Sequence, residues 1–280
     1  MNTLTLREPP TCIPTHSEAP SAGIDHRERT SLHDLFGLIG VPVGDEQQSP
    51  LPLPAVRRLR AGELLIIEGA PAASIYIART GTFKVFRTAE DGYEQVFGFA
   101  RRGDLLGCDA LSSDRHQTAV MALSDASALA IASPDFLALT NSHPAFGRGV
   151  MRAVSNAMID LTRLSDMMAP VSAEVRLARF LMHLSHQLAS SGQSATIIRL
   201  EMSRRDIGSY IGVAHETISR SFAALADACL VEVAQRKVRI IDLDALQKYA
   251  QGTRAPAKSL ARVPAAVPRP RFEAIAALAA

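Results

Sequence analysis

Cysteine is nearly missing from the chain. The 280 residues carry three, Cys12, Cys108 and Cys229, and no two share a paired spacing, which argues against a disulfide framework. Long apolar runs are missing as well: none approaches the length that spans a bilayer, and the first residues lack the hydrophobic segment of a signal peptide. A cytoplasmic protein with no membrane partner is the expectation. No nucleophile–base set, P-loop or dinucleotide fingerprint is visible, so no catalytic residue is assigned and an enzyme is the least favoured class. His33, His116, His143, His183 and His186 make no ligand pattern, although His183 and His186 lie one helical turn apart, and neither a metal nor a cofactor is expected. Charge of one sign is lacking too. The formal net charge is +2, and between Arg199 and Arg239 seven basic residues stand against five acidic ones. Any phosphate-binding surface must therefore come from arrangement rather than excess. At 47% hydrophobic, the chain can nevertheless bury a sizeable core, and its length suggests two domains plus tails.

Met202–Leu225, MSRRDIGSYIGVAHETISRSFAAL, reads as two short helices joined by a tight turn. Ser203 is a good N-cap with Asp206 three residues on, a capping-box-like pair, and the helix they open runs to about Ile211. Gly212 supplies the turn. The second helix starts near Ala214, with Ile218, Phe222 and Leu225 as its apolar stripe. Glu216, Ser219 and Arg220 project together from the other face, in the first turns, where a recognition helix meets base edges. His215 and Thr217 flank them, and Ser203 and Arg204 stand at the start of the first helix. A guanidinium fork can bind guanine O6 and N7 together, while a carboxylate such as Glu216 accepts from cytosine N4. An ordinary helical hairpin with a solvated charged face has the same pattern, so the flanking segments decide.

D-I-G-x-Y-I-G followed by E-T-I-S-R resembles the recognition element of the CRP/FNR family of bacterial transcription regulators, in the E-T-x-S-R version of its FNR branch. Flanking segments fit that family over roughly residues 30–250. The resemblance implies a homodimer on double-stranded DNA, at a palindrome of TTGAT half-sites, with Arg220 and Glu216 on the G·C pair and Ser219 at the outer T. Two residues depart from the pattern: Ala214 stands where a hydroxyl N-cap is common, and His215 where a smaller apolar residue is common.

From Val56 to about Ala132, short β-rich runs (Leu64–Ile67, Ser74–Ala78, Phe83–Arg87, Gln95–Phe99) alternate with turn glycines, the pattern of an antiparallel barrel or jelly roll. R-x-G-E-L-L-I-I-E-G-A, Y-I-A-R-T-G-T-F-K-V and G-D-L-L-G resemble the effector β-roll of cyclic-nucleotide-binding proteins. In place of the binders' glutamate and Arg-Ser/Thr pair, this chain has Cys108 and His116-Gln117-Thr118. A buried cyclic phosphate without arginine would be poorly compensated, so cAMP is not the expected effector. Relatives use the turn corresponding to Asp91-Gly92-Tyr93-Glu94 to touch RNA polymerase, which implies an activator. Oxygen-sensing relatives hold an iron–sulfur cluster on four cysteines; Arg27, Thr30, Phe36 and Leu129 take those places here, and none is a thiolate. Cys108 and Cys229 are the candidate redox thiols, each also readable as an inert core residue, and Cys12 lies outside the pattern.

A long helix, about Ala145–Met168, follows Pro144. Val150, Val154, Ala157, Leu161, Leu164 and Met168 recur along it at 4-3-4-3-4 spacing, which fits a coiled-coil seam or a face buried in its own chain. The family's subunit interface lies on this helix, which favours the seam. Pro170 ends it, and Ser172 caps another helix at about Ala173–Ala189. Cys229–Val233 and Val238–Ile241 then make a small wing, whose Arg236, Lys237 and Arg239 are placed for phosphates or simply solvated. The expected fold is α+β: an N-terminal antiparallel β-roll of the cyclic-nucleotide-binding type (31–143), a dimerisation helix (144–169) and a C-terminal winged helix-turn-helix (170–250). A disordered, proline-bearing extension (1–30) and a disordered basic tail (251–280) flank them. A regulator is the reading. A β-roll module acting through a protein partner, or a haem- or thiol-based redox sensor of the same family, stays open beside it.

Overall fold

The computed structural model describes residues 30–42, 53–169 and 171–253. The expectations placed on Cys12, Arg27, Pro170, the first 29 residues and the tail from 254 lie outside the described residues. The β-rich half forms eight antiparallel strands: β1 (Ala55–Leu59), β2 (Leu64–Ile66), β3 (Ser74–Thr80), β4 (Phe83–Thr88), β5 (Glu94–Ala100), β6 (Leu105–Leu106), β7 (Ala119–Ala122) and β8 (Ala126–Ala132). They pair as two four-stranded sheets, β1-β8-β3-β6 and β2-β7-β4-β5, so β5 is an edge strand. Leu59, Ile66, Phe83, Leu106 and Val120 fill the space the two sheets enclose. On the first sheet, Ile75, Ile77, Leu129 and Ile131 pack against three helices, α1 (Leu32–Leu38), α2 (Ser133–Ser142) and α3 (Pro144–Met167).

Strands β7 and β8, AVMA and ASALAIA, fall within the β-rich stretch but carry a weak local signal, because alanine is a poor strand former and their β character comes from packing between neighbours. Helix α1 was also missed. Its seven residues are too short for a helical period to declare itself, and Ser31 starts it by accepting a bond from the Asp34 amide at 3.0 Å.

Helix α3 serves two environments. Its first turns bury Phe146, Gly149 and Val150 against the α1 end of the roll, and its last turn buries Met167. Between them Met151, Met158 and Leu161 are 66%, 65% and 59% exposed. The expected seam is thereby divided: Val150 and Leu164 pack on their own chain, Val154 is half-buried, and Ala157, Leu161 and Met168 face outward. A 4-3 spacing fixes one stripe along a helix but not which neighbour covers it.

The C-terminal part packs around α4 (Ala173–Ser190), N-capped by Ser172 and lined by Leu177, Phe180, Leu181 and Leu184. Around it lie β9 (Ile197–Arg199), α5 (Arg204–Ile211), α6 (His215–Asp227), β10 (Val231–Ala234), β11 (Lys237–Ile240) and α7 (Leu243–Gln251). The wing is a three-stranded sheet, β10-β11-β9, one strand more than the hairpin expected. Its first strand begins two residues late because Cys229 adopts a left-handed backbone (φ +56°) and turns the chain out of α6.

Two glycines shape the α5–α6 corner. Gly212 closes α5 at φ +67°, and a Cβ on Gly208 would lie 2.5 Å from the Val213 carbonyl oxygen. The second contact is with backbone, so it cannot be relieved by a rotamer. Gly208→Ala should therefore destabilise the C-terminal part by roughly 1–3 kcal/mol, read as a lower midpoint in thermal unfolding followed by far-ultraviolet circular dichroism.

Candidate nucleic-acid interface

Helices α5 and α6 present the expected arrangement. Ser203 and Asp206 complete a reciprocal capping box: the Asp206 amide donates to Ser203 Oγ at 3.1 Å and the Ser203 amide to Asp206 Oδ2 at 2.9 Å. Ile218, Phe222 and Leu225 bury one face of α6, while His215, Glu216, Ser219 and Arg220 are all exposed on the other. Half-buried Thr217 accepts a bond from Arg220 Nη2 at 3.1 Å, which holds the fork over this face, and His215 Nε2 lies 3.4 Å from the Glu216 carboxylate. Ala214 gives no side-chain cap, so the first amides of α6 remain open to an outside acceptor such as a phosphate oxygen.

The expected flank is only partly on this surface. Ser203 is exposed, but the Arg204 guanidinium stacks over the Phe222 ring at 3.5 Å and is half withdrawn from solvent. The neighbouring Arg205, which the motif did not single out, is exposed at the same helix start. On the wing, Arg236 and Lys237 are exposed at the β10–β11 turn, Arg236 also donating to the Glu201 carbonyl at 3.2 Å. Arg239 differs: it sits opposite Glu232 in the strand register and forms an ion pair with its carboxylate. Only the pairing of strands could reveal that partner.

Two of the residues that stand in place of the cyclic-nucleotide binders' motif, His116 and Gln117, are bonded within the chain. Asp109, on the 3-10 turn Cys108–Leu111, accepts from the Gln117 amide at 2.5 Å and lies 2.9 Å from Nδ1 of the buried His116. A carboxylate thus stands beside His116 and Gln117, and its charge would repel an anionic ligand there. The Gln117 side chain bonds to Ser113 and to the Arg115 carbonyl rather than into the roll. Thr30, Phe36 and Leu129 likewise offer nothing to an iron–sulfur cluster. Phe36 and Leu129 are core residues, the Phe36 ring 5.5 Å from that of Phe146, and Thr30 Oγ1 donates to Asp34 at 2.9 Å. A cleft of about 650 Å³ runs between β5, α3 and α4, its lining including Phe97, Phe99, Leu161 and the half-buried His183.

The turn expected to meet polymerase is exposed at Asp91, Gly92 and Tyr93, with Asp91 Oδ1 accepting from the Tyr93 amide at 2.9 Å. Glu94 is drawn inward: its carboxylate takes Lys84 Nζ at 2.7 Å. Asp206 also bonds Lys84, at 3.0 Å. Burial pushes the Asp206 carboxyl up, but the Ser203 hydroxyl and amide and then Lys84 outweigh it, and the group ends below the ordinary 3.8.

Residues 175–249 match the Crp-like helix-turn-helix domain and residues 56–143 the cyclic nucleotide-binding domain. The chain is 33% identical over 221 residues to the transcriptional regulatory protein Btr of Bordetella pertussis, a match covering 76% of this chain and 90% of that protein. It is 33% identical over 196 residues to the fumarate and nitrate reduction regulatory protein of Escherichia coli strain K12, covering 70% and 78%. It is 32% identical over 186 residues to the transcriptional activator protein Anr of Pseudomonas aeruginosa, covering 66% and 76%. Among solved structures, FixK2 of Bradyrhizobium japonicum shares the fold at a TM-score of 0.64 and 23% identity, over 74% of this chain and 100% of that one.

The two described cysteines differ in chemistry. Burial, then the Asp109 charge, pushes the Cys108 thiol up to about 11, whereas Cys229 is exposed. Since the thiolate is the reactive form, iodoacetamide at neutral pH should alkylate the Cys229 peptide well before the Cys108 peptide, as followed by mass spectrometry.

Proposed function

Because the chain belongs to the CRP/FNR family of transcription regulators, we propose that it binds a two-fold palindromic DNA site as a homodimer and activates transcription there. The observation that carries this reading is the division of α6, with Ile218, Phe222 and Leu225 in the core and Glu216, Ser219 and Arg220 together in solvent. In the major groove Arg220 donates both arms to guanine O6 and N7, and Glu216 accepts from the N4 of the paired cytosine. The half-site is TTGAT, with Ser219 at the outer T. The open amides at the start of α6, together with Ser203, Arg236 and Lys237, meet phosphates on either side.

Two copies meet along α3. The apolar side chains that solvent reaches, Met151, Met158, Leu161 and Met168, with half-buried Val154 beside them, support a seam turned slightly from the one that spacing alone suggests. Half-sites about one helical turn apart then face two α6 helices related by the dimer axis. Activation uses the exposed tip of the β4–β5 turn, Asp91, Gly92 and Tyr93, as the surface offered to RNA polymerase. No described helix is long and apolar enough to cross a membrane, and we assign the chain no catalytic step.

Leu161→Asp should place like charges across the seam and shift the protein toward monomer, as measured by sedimentation equilibrium at micromolar concentration; an unchanged dimer would put the interface elsewhere. Arg220→Ala should cost about 1–3 kcal/mol and relax the preference at the G·C pair, whereas Arg236→Ala should weaken all sequences alike and flatten the salt dependence. Competition binding against half-sites substituted at that pair separates the two. If Arg220→Ala lost affinity uniformly while keeping its preference, α6 would be gripping backbone and the base assignment would fall.

A further inference from the structure

The first helix of the reading motif is fastened to the effector roll by side chains that neither DNA contact nor folding of the motif requires. Strand β5 ends the sheet β2-β7-β4-β5, so its outward amide and carbonyl groups lack a strand partner. Ser209 on α5 supplies one: its hydroxyl donates to the Glu94 carbonyl at 2.7 Å and accepts from the Val96 amide at 2.9 Å. One hydroxyl thus stands in for both halves of a missing ladder rung. Beside it Lys84, with only 5% of its side chain exposed, sets Nζ between Glu94 (2.7 Å) and Asp206 (3.0 Å), 4.5 Å above the Phe86 ring. Asp206 spends one oxygen on the Ser203 cap and the other on this lysine.

The polar contacts lie on an apolar one. Phe99 of β5, Tyr210 of α5 and Phe180 of α4 meet at steep ring angles of 59° to 62°, with centroids 5.2 to 6.3 Å apart. Phe86 and Val96 belong to the same buried cluster as the helices of the C-terminal part. A lysine desolvated between two carboxylates requires both partners in place, so the contact tolerates little sliding.

We infer that Lys84 and Ser209 are positioning residues for DNA reading: by docking α5 on the edge of β5 they fix the orientation of α6, and hence the half-site spacing that a dimer accepts. This rests on the palindrome reading above. Helix α6 follows because Gly208 lets α5 lie directly against it, and its reading face stays open while α5 is docked. Without the dock, the C-terminal part is held to α3 through Leu164, Met167 and the Arg179 bond to the Asp166 carbonyl, and the seat on β5 no longer sets its orientation.

The experiment uses the full chain carrying Lys84→Met, Ser209→Ala, or Lys84→Arg as the conservative control. Fluorescence anisotropy measures affinity for palindromes whose spacer is native or altered by one or two base pairs, and for a native-spaced site substituted at its G·C pair. Wild-type protein is expected to favour one spacing sharply. Lys84→Met and Ser209→Ala should flatten that spacing profile and weaken the best site roughly tenfold, because a preorganised orientation is lost, while the G·C preference stays; Lys84→Arg should restore the profile. Hydrogen exchange without DNA supplies the second readout, with faster exchange at Val96 expected in Ser209→Ala. A spacing profile of unchanged shape in both variants, or an unchanged Val96 exchange rate, would overturn the inference. Wild-type protein that bound no palindrome would instead overturn the function proposed above, and the exchange rates would still decide the dock.

Discussion

An antiparallel sheet that stops leaves a row of unpaired amides and carbonyls, and much of this molecule's organisation follows from how β5 meets that constraint. Barrel closure would remove the edge, but here a helix covers it. Because the covering helix is α5, the effector roll and the DNA-reading motif share one buried cluster in which Phe86 and Val96 sit with Ile207, Tyr210 and Phe222. Asp206 joins the levels: the residue that caps α5 locally is also the one that reaches across to Lys84. Local helix chemistry and long-range docking are thereby made by a single carboxylate, held ionised by its neighbours.

The roll matches the cyclic nucleotide-binding domain over residues 56–143 and carries an acidic side chain bonded to His116 and the Gln117 amide. This side chain, Asp109, bridges the two, and Phe36 and Leu129 are packed in the core.

Helix α3 shows how one element serves several neighbours. Its ends are anchored in the chain's own clusters, through Phe146 and Val150 at one side and Met167 at the other, while its middle turns Met158 and Leu161 outward.

Much was legible in the residues alone. The Ser203/Asp206 cap, Gly212 at the turn, the apolar stripe of α6 and the alternation of short runs with glycine are local signals, set by interactions three or four residues apart or by backbone geometry at one residue. They determined two helices joined at a turn, an antiparallel roll of short strands and an exposed face carrying Glu216, Ser219 and Arg220; the family resemblance implied the winged helix-turn-helix and a DNA-reading role. Other features depend on partners far along the chain. Lys84 and Asp206 are 122 residues apart, Arg239 finds Glu232 only through strand register, Arg204 turns to Phe222, and Val150 and Leu164 pack into two different clusters of their own chain. The sequence by itself decided which surfaces exist, because periodicity and capping are short-range. Which surface each helix buries, and where the reading motif is held, was decided only by tertiary structure, because burial and edge pairing depend on what the fold brings alongside.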